Sequence, residues 1–307
     1  MERGELLAVR ACLAALYLRG LERPWPPARR KWPRVVSVLC SAAPSLGSAA
    51  RVLRASGLVD EADVLAEPGL AESGVRLVET GCVLTAACPS YPAGWRESLG
   101  SFAPPALWLR GEMPGGPVLG IAGSRLPSPV AARFVAEIVE GSLQAGCSIV
   151  SGGCHGVDQL ATTAAIRCGG AGRMLEIAPC GLESVPRQEG VTHLSACPPG
   201  APFSAGQALE RNALVYALGK RAVAVQPRLG VGGTWAGALD ALRRRLAVVG
   251  VPEGVGGGEG SLLALGAKPI AEPGGASLEE FLSMEVPIVQ PGLFGASEVR
   301  EGRVWSA

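Results

Sequence analysis

Short apolar runs alternate with longer amphipathic runs through the middle of the chain. The apolar runs predict strands near residues 118–122, 147–151, 173–178, 221–225 and 246–249. The amphipathic runs predict helices near residues 128–144, 156–168, 206–218 and 234–244. Strands that alternate with helices indicate a parallel sheet covered on both faces, so we expect an α/β, extended Rossmann-like architecture.

The two ends of the chain follow other patterns. Residues 4–19 and 45–56 have helical spacing, and the stretch RGLERPWPPARRKWPR between them predicts a loop because it is rich in proline. Two tryptophans lie among arginines there, which can stack on nucleic-acid bases, although a solvated connection accounts for the composition more simply. After Pro273 the sequence predicts one short helix over SLEEFLSM and then a tail with little pattern.

Composition and charge narrow the class of protein. The chain has 307 residues, of which 48% are hydrophobic and 18% charged, values typical of a folded soluble protein. Its formal net charge is +1, so no global field draws it to nucleic acid, and any polyanion site must be local. Nine scattered cysteines without a CxxC pair, and two histidines, argue against a zinc site and a disulfide framework. We therefore expect no metal, no cofactor and a reducing compartment.

The N-terminal segment differs from a targeting sequence. It begins Met-Glu-Arg-Gly-Glu and carries Arg10 within its apolar stretch, unlike a secretory signal peptide. The chain also lacks a run of about 18 uncharged apolar residues, the length that a transmembrane helix needs. We therefore predict a cytoplasmic protein without a membrane partner.

Three glycine-rich turns directly follow predicted strands. We define loop 1 as residues 123–128, loop 2 as residues 151–156 and loop 3 as residues 226–234. In an open parallel sheet the loops at the carboxyl ends of the strands face one edge, and ligands bind where the strand order reverses. The sequence therefore predicts that the three loops converge on one binding site.

Loop 1 offers groups that bind an anion. Gly123 lets the backbone approach a ligand, Ser124 follows it, and Arg125 supplies a bidentate donor at the start of a helix. This combination suits a phosphate. A tight turn that needs a glycine, with Arg125 in solvent, explains the same residues, so both interpretations stay open.

Loop 2 combines glycines with two titratable side chains. The residues that can form a backbone nest for an anion are Ser151, Gly152, Gly153 and Gly156. Asp158 falls in the first turn of the next helix, where it contacts a ligand or is simply favoured by the helix dipole. Three interpretations stay open for His155 at the loop tip: it donates to a phosphate, it titrates, or it is simply solvated.

Loop 3 repeats this pattern. Gly233 and Thr234 combine backbone amides with a hydroxyl, and a role of Thr234 as the helix N-cap would by itself explain the residue. Between loops 2 and 3, Arg211 and Asn212 interrupt the otherwise apolar helix ALERNALVYAL. Because such an interruption is costly, we predict that this pair faces the ligand edge.

Six pieces of sequence occur in an order that resembles one protein family. The pieces are YP...PPALWLRG, GIAGSRLPS, VSGGCHGVD, ERNALVYAL, GGTWAGALDAL and GSLLALGAKPI. Over about residues 89–271 they resemble the DNA-processing protein A (DprA, or Smf) family. The resemblance implies a non-enzymatic Rossmann-like protein that binds single-stranded DNA, usually as a homodimer, and helps load the RecA recombinase during natural transformation.

The resemblance also implies a division of the chain. Residues 1–75 match in position the small helical, SAM-like domain that many members carry, and residues 89–272 match the Rossmann-like domain. Residues 273–307 would be a short C-terminal tail without a clear winged helix.

Residue by residue, the resemblance assigns ligand binding to the three loops and one helix. The first phosphate-binding turn would be Gly123, Ser124 and Arg125, and the second Ser151, Gly152, Gly153, Gly156 and Asp158. Arg211 and Asn212 match the start of the family's arginine-asparagine-arginine motif, and Gly233 and Thr234 fall in its late loop.

Several residues depart from the family pattern. His155 stands where the family usually has arginine, Thr162 replaces a histidine, and Ala213 replaces the second arginine of the motif. Gln226 replaces a glutamate at the end of a strand. Because each neutralised phosphate releases counterions, the missing arginines should weaken phosphate binding and its salt dependence.

A second class of function shares the same loops. The alternative is a nucleotide-binding sensor, or a phosphoribohydrolase-like enzyme similar to the "lonely guy" family, which has a glycine-glycine-threonine turn on a Rossmann-like core. Those enzymes place a glutamate three residues after the threonine, and this chain has Gly237 there. No carboxylate is set to act on a glycosidic carbon, so the sensor stays open and the enzyme loses its catalytic group.

Overall fold

The structure, a computed structural model, describes residues 3–22, 32–99 and 103–286. The strands are β1 Val83–Thr85, β2 Ala106–Arg110, β3 Val118–Gly123, β4 Ser148–Ser151, β5 Met174–Ala178, β6 Val191–Ser195, β7 Arg221–Val225, β8 Val248–Pro252 and β9 Lys268–Ile270. The helices before β3 are α1 Arg3–Glu22, α2 Trp32–Ala42, α3 Leu46–Ala55, α4 Val59–Leu65, α5 Leu70–Glu79 and α6 Ala93–Leu99. The later helices are α7 Pro129–Gln144, α8 Val157–Arg167, α9 Ala205–Gly219, α10 Gly232–Arg244, α11 Glu259–Ala264 and α12 Gly275–Ser283.

The described strands form one nine-stranded sheet with the order β1-β2-β6-β5-β4-β3-β7-β8-β9. The pairs from β6 to β9 along this order are parallel, whereas β2 pairs antiparallel with both β1 and β6. β3 lies between β4 and β7, so the chain moves outward in one direction from β3 to β6 and then in the other from β7 to β9. The strand order therefore reverses between β3 and β7.

Helices cover both faces of this sheet. The hydrophobic core on one face joins buried residues of α6, α9 and α10 to the sheet, including Trp95, Tyr216 and Ala241. The core on the other face joins α7, α8 and α12, including Ile138 and Phe281. This three-layer arrangement confirms the predicted α/β, Rossmann-like class, because strands buried on both faces need helices on both sides.

The N-terminal helices share a core of their own. Buried side chains of α1 to α4, among them Leu13, Leu39 and Leu53, form one hydrophobic cluster. The hydroxyl of Tyr17 on α1 donates a hydrogen bond to the carbonyl oxygen of Ala196, which follows β6. The helical layer therefore packs next to the edge of the sheet formed by β1, β2 and β6.

Several elements differ from the sequence predictions. The sheet is not wholly parallel, since β1 and β2 run antiparallel, and β8 lies a few residues beyond the predicted strand at 246–249. The stretch predicted as a loop, RGLERPWPPARRKWPR, is helical at both ends, where α1 continues to Glu22 and α2 begins at Trp32. Its residues 23–31, and residues 287–307 of the predicted tail, lie outside the described part.

Candidate nucleic-acid interface

Loops 1, 2 and 3 meet at the carboxyl edge of β3, β4 and β7, as the parallel order requires. The backbone N–H of Val157 donates to the carbonyl oxygen of Ser124 at 3.0 Å, which joins the start of α8 to loop 1. The N–H of Ser124 donates to the carbonyl oxygen of Val225 at 3.1 Å, which joins loop 1 to the end of β7. The three loops therefore form one connected surface, although the N–H of Ser124 is not open to a ligand.

Gln226 positions the N-terminus of α7 through a side-chain hydrogen bond. Its side-chain Oε1 accepts from the backbone N–H of Ser128 at 2.8 Å, and the Ser128 hydroxyl caps α7 by accepting from the N–H of Ala131 at 3.2 Å. The acceptor role needs only a side-chain oxygen, which the amide of Gln226 supplies. The departure from the family's glutamate therefore removes a charge but keeps a hydrogen bond between loops 3 and 1.

Gly156 permits the close approach of loops 1 and 2. Its φ is +84°, in the left-handed region, and a Cβ there would lie 2.3 Å from the carbonyl oxygen of Ser124. Such a contact is far inside the van der Waals distance, and no side chain with a Cβ fits without moving the backbone. The glycine is therefore required by the joint between the loops.

Arg211 lies under loop 2 rather than on its surface. The residue is 6% exposed, and its Nη2 donates to Sγ of Cys154 at 3.1 Å. A Cβ on Gly152 would lie 1.2 Å from Nη1, so the absence of a side chain at Gly152 makes room for the guanidinium. Arg211 therefore lies beside the loops, as predicted, but its guanidinium is buried against loop 2 and does not face solvent.

Asp158 is the ionic partner of Arg211. Its Oδ2 lies 3.8 Å from Nη1 of Arg211 and accepts from the backbone N–H of Cys154 at 3.3 Å. The expected backbone nest of loop 2 is thus partly filled by a carboxylate of the protein itself. Burial raises the pKa of Asp158 to about 6, even though Arg211 and the backbone hydrogen bonds act to lower it.

The raised pKa of Asp158 predicts a pH-dependent stability. The folded state holds the proton up to about pH 6, whereas the unfolded chain releases it near 3.8, so this group's contribution to the unfolding free energy falls as pH rises between these values. The free energy of unfolding of Asp158→Asn, minus that of the parent, should therefore rise by about 3 kcal/mol as pH rises from 3.8 to about 6. Urea unfolding at a series of pH values measures this difference.

The control for this prediction is Asp240→Asn, at a half-exposed position on α10. Its difference from the parent should change by less than about 0.5 kcal/mol over the same pH range. A flat difference for Asp158→Asn would show that its carboxyl titrates as it does in the unfolded chain.

Asn212 holds loop 3, and Thr234 does not cap its helix. Nδ2 of Asn212 donates to the carbonyl oxygen of Gly233 at 3.1 Å. The N-cap position of α10 is Val231, without a side-chain hydrogen bond, so the interpretation of Thr234 as the cap is wrong. Thr234 is the third residue of the helix, and the hydroxyl would have to precede the first turn to accept from its open N–H groups.

The solvent side of this edge carries exposed basic side chains and open backbone donors. Arg125 and His155 are exposed, as is Arg228 of loop 3, which the sequence interpretation did not single out. Within the described residues, the N–H groups of Arg125, His155 and Gly156 have no acceptor. The structure therefore brings positive charge and unpaired donors to the same edge.

A cavity of about 500 Å³ opens beside loops 1 and 2. Arg125 and His155 lie in its wall together with Phe203, which is 54% exposed, and the deeper residues Glu176 and His193. Burial alone would raise the pKa of Glu176, but hydrogen bonds from His193 and Thr162 outweigh it and lower the pKa below its usual value. The carboxyl is therefore ionised.

Sequence reasoning missed Glu176, His193 and Phe203. A lone carboxylate in the apolar strand MLEIA was the available signal for Glu176, because a charge in a strand buried on both faces needs a partner.

In the described ranges no group of three or more His, Cys, Asp or Glu side chains is placed to hold a metal. All nine cysteines are free thiols.

None of the helices that the structure describes is both long enough and apolar enough to span a bilayer. No curated protein matches the chain in sequence.

Solved structures of two bacterial proteins share the fold. DNA processing protein A from Streptococcus pneumoniae superposes with a TM-score of 0.62 at 18% identity, covering 84% of this chain and 95% of that one. The same-named protein from Helicobacter pylori, whose structure concerns its single-stranded DNA binding mode, gives a TM-score of 0.53 at 23% identity, with 65% of this chain and 94% of that one covered.

The family assignment follows from the sequence. Residues 82–277 match the family model of DNA recombination-mediator protein A, in agreement with the motifs that resemble the DprA family. Because the match spans more than half of the 307 residues, the chain belongs to the DNA recombination-mediator protein A family.

Proposed function

We propose that the protein binds single-stranded DNA along the edge formed by loops 1, 2 and 3, and that it does so without catalysis. The observation that carries the proposal is that α8 and α10, which follow β4 and β7, both begin without a side-chain cap at the carboxyl edge of the sheet that bears the exposed Arg125 and Arg228. Uncapped helix starts offer backbone N–H donors and a positive dipole end, both of which favour phosphate. Contacts of this kind follow a strand's backbone without reading its sequence.

Arg125 and Arg228 are the side chains proposed to reach phosphates, since both are exposed on the loops. Gly123, Gly152 and Gly156 allow the close packing of loops 1 and 2 on Val157, Arg211 and Ser124. Arg211, Asp158 and Asn212 hold the loops in position. Phe203, exposed at the cavity mouth, offers a ring on which a base can stack.

A nucleotide-binding sensor is the second candidate, and the cavity of about 500 Å³ favours it. Such a volume accepts a small ligand whose phosphate lies on loops 1 and 2. The position expected for a phosphoribohydrolase glutamate is Gly237, which packs against Asn212, with a Cβ at 3.1 Å from Nδ2. The chain therefore has no carboxylate at this position, and the second candidate is a sensor that binds a nucleotide without hydrolysis.

The wider role is proposed from the family alone. We place the protein in DNA processing and recombination in the cytoplasm, acting as a homodimer with a RecA-type recombinase, for which natural transformation is one setting. We further propose that residues 1–75, 89–272 and 273–307 are the helical domain, the Rossmann-like domain and the C-terminal tail. The shared core of α1 to α4 supports the first of these units.

Fluorescence anisotropy of a labelled oligo(dT) strand across a salt series tests the proposal. The parent should bind saturably, and log affinity should fall with log salt by about 0.7 for each neutralised phosphate. Arg125→Ala should weaken binding and lower that slope by about one such increment.

Arg167→Ala is the matched control, because this exposed arginine ends α8 at the opposite edge of the sheet. It should leave both affinity and slope unchanged. Absence of binding by the parent at low salt, or equal losses in the two variants, would contradict the proposed interface.

A further inference from the structure

The inner wall of the cavity is built on a carboxylate that keeps free acceptor capacity. Glu176 on β5 and His193 on β6 are direct partners across the two parallel strands. Oε1 of Glu176 accepts from the Thr162 hydroxyl at 2.6 Å, and Oε2 lies 3.5 Å from Nε2 of His193. Each carboxylate oxygen can accept two hydrogen bonds, so both retain capacity for one more donor.

The imidazole of His193, next to this carboxylate, has one ring nitrogen without a hydrogen-bond partner among the described residues. His193 is 2% exposed and lines the cavity, and its Nδ1 is buried without a partner among the described residues. Buried polar atoms are nearly always hydrogen-bonded, so an unpaired one on a residue that lines the cavity indicates that the inner wall is polar and can take a further hydrogen bond. This observation is independent of the acceptor capacity of Glu176.

Gly153 of loop 2 packs against the carboxylate without covering it completely. A Cβ on Gly153 would lie 2.8 Å from Oε2 of Glu176, so any side chain there would press on the acceptor. Glu176 itself keeps 13% of its side chain exposed. Arg125 stands in the same cavity wall and is exposed, so a positive charge lies near the solvent side of the cavity and the Glu176 carboxylate lies deeper within it.

We propose that this cavity binds one nucleobase of the bound strand and prefers guanine, whose N1–H and N2–H groups donate to the two oxygens of Glu176. The adjoining phosphate then lies at the mouth, near Arg125. The inference rests on the proposed function, which it deepens by giving the site a base preference.

The preference follows from the donor pattern of each base. Guanine presents two adjacent N–H donors on its Watson–Crick edge, which match a carboxylate in the bidentate manner. Adenine and cytosine present one amino donor beside a ring-nitrogen acceptor, and the lone pair of that nitrogen repels the carboxylate. Thymine presents one N–H between two carbonyl oxygens, which repel it as well.

Competition by the four deoxynucleoside monophosphates against a labelled oligo(dT) strand tests this inference, and it needs no variant. We expect dGMP to compete about tenfold more strongly than the other three, the discrimination typical of one bidentate pair. Glu176→Gln should remove this preference and shift it toward dAMP or dCMP, because an amide offers one acceptor and one donor.

Glu183→Gln is the charge-matched control, since Glu183 is exposed and lies outside the cavity lining. It should retain the guanine preference. Equal competition by all four nucleotides, with salt-dependent oligo(dT) binding intact, would overturn the base pocket and leave the proposed function standing. Absence of binding to both oligo(dT) and mononucleotides would overturn both.

Discussion

Arg211→Ala should lower the free energy of unfolding by about 3–5 kcal/mol at neutral pH, the cost of leaving a buried charge without its partner. Arg211 is 6% exposed and its guanidinium fills the space beside Gly152, so truncation opens a void and leaves Asp158 uncompensated. Loop 2 would also lose its contacts with the guanidinium at Gly152 and Cys154. Single-stranded DNA binding should therefore weaken as well, although Arg211 itself does not reach the surface.

Chemical denaturation of four proteins measures this effect. They are the parent, Arg211→Ala, Asp158→Asn and the double variant. The double variant should be more stable than Arg211→Ala, because neutralising Asp158 removes the unpaired charge. Arg167→Ala, at an exposed position, should stay within about 0.5 kcal/mol of the parent. Additive losses in the double variant would contradict the pairing of Asp158 with Arg211.

Gly156→Ala should destabilise the protein by about 3 kcal/mol and abolish the joint between loops 1 and 2. The residue has φ +84° and ψ −126°, a conformation that costs an L residue about 1–3 kcal/mol. The added Cβ would also meet the carbonyl oxygen of Ser124 at 2.3 Å and the carbonyl carbon of Arg125 at 2.6 Å. Both atoms are backbone, so loop 1 itself must shift.

Gly146→Ala separates these two causes. Gly146 has a similar φ of +82°, but no atom lies within 4 Å of the position that a Cβ would take there, so only the backbone strain applies. We expect a loss of about 1 kcal/mol there and no change in DNA affinity. Equal losses of stability in the two variants, with DNA binding kept by Gly156→Ala, would contradict a required close approach of the loops.

Much of the sheet could be predicted because its central strands are apolar runs of strand length between amphipathic helices. β3, β4, β5 and β7 are of this kind. β6 was missed since its sequence VTHLS carries polar residues, although all five of its positions are buried. β1 and β9 have three residues each, too few for a periodic pattern.

The candidate site was predictable in place but not in detail. Glycines after parallel strands indicated the location of the three loops, because parallel strands share a carboxyl edge. The pairing of Arg211 with Asp158 arises from packing of α9 beneath loop 2, between positions far apart in sequence. Glu176 and His193 meet only through the register of β5 and β6, which no local pattern determines.

Hydrogen–deuterium exchange with and without an oligo(dT) strand tests the central claim most directly, since it reports on the backbone amides proposed to contact phosphates. Binding should slow exchange at the open N–H groups of Arg125, His155 and Gly156 and at the start of α10. Loops at the opposite edge, such as residues 168–173 between α8 and β5, should be unchanged. Saturable binding with protection confined to other surfaces would contradict an interface built from loops 1, 2 and 3.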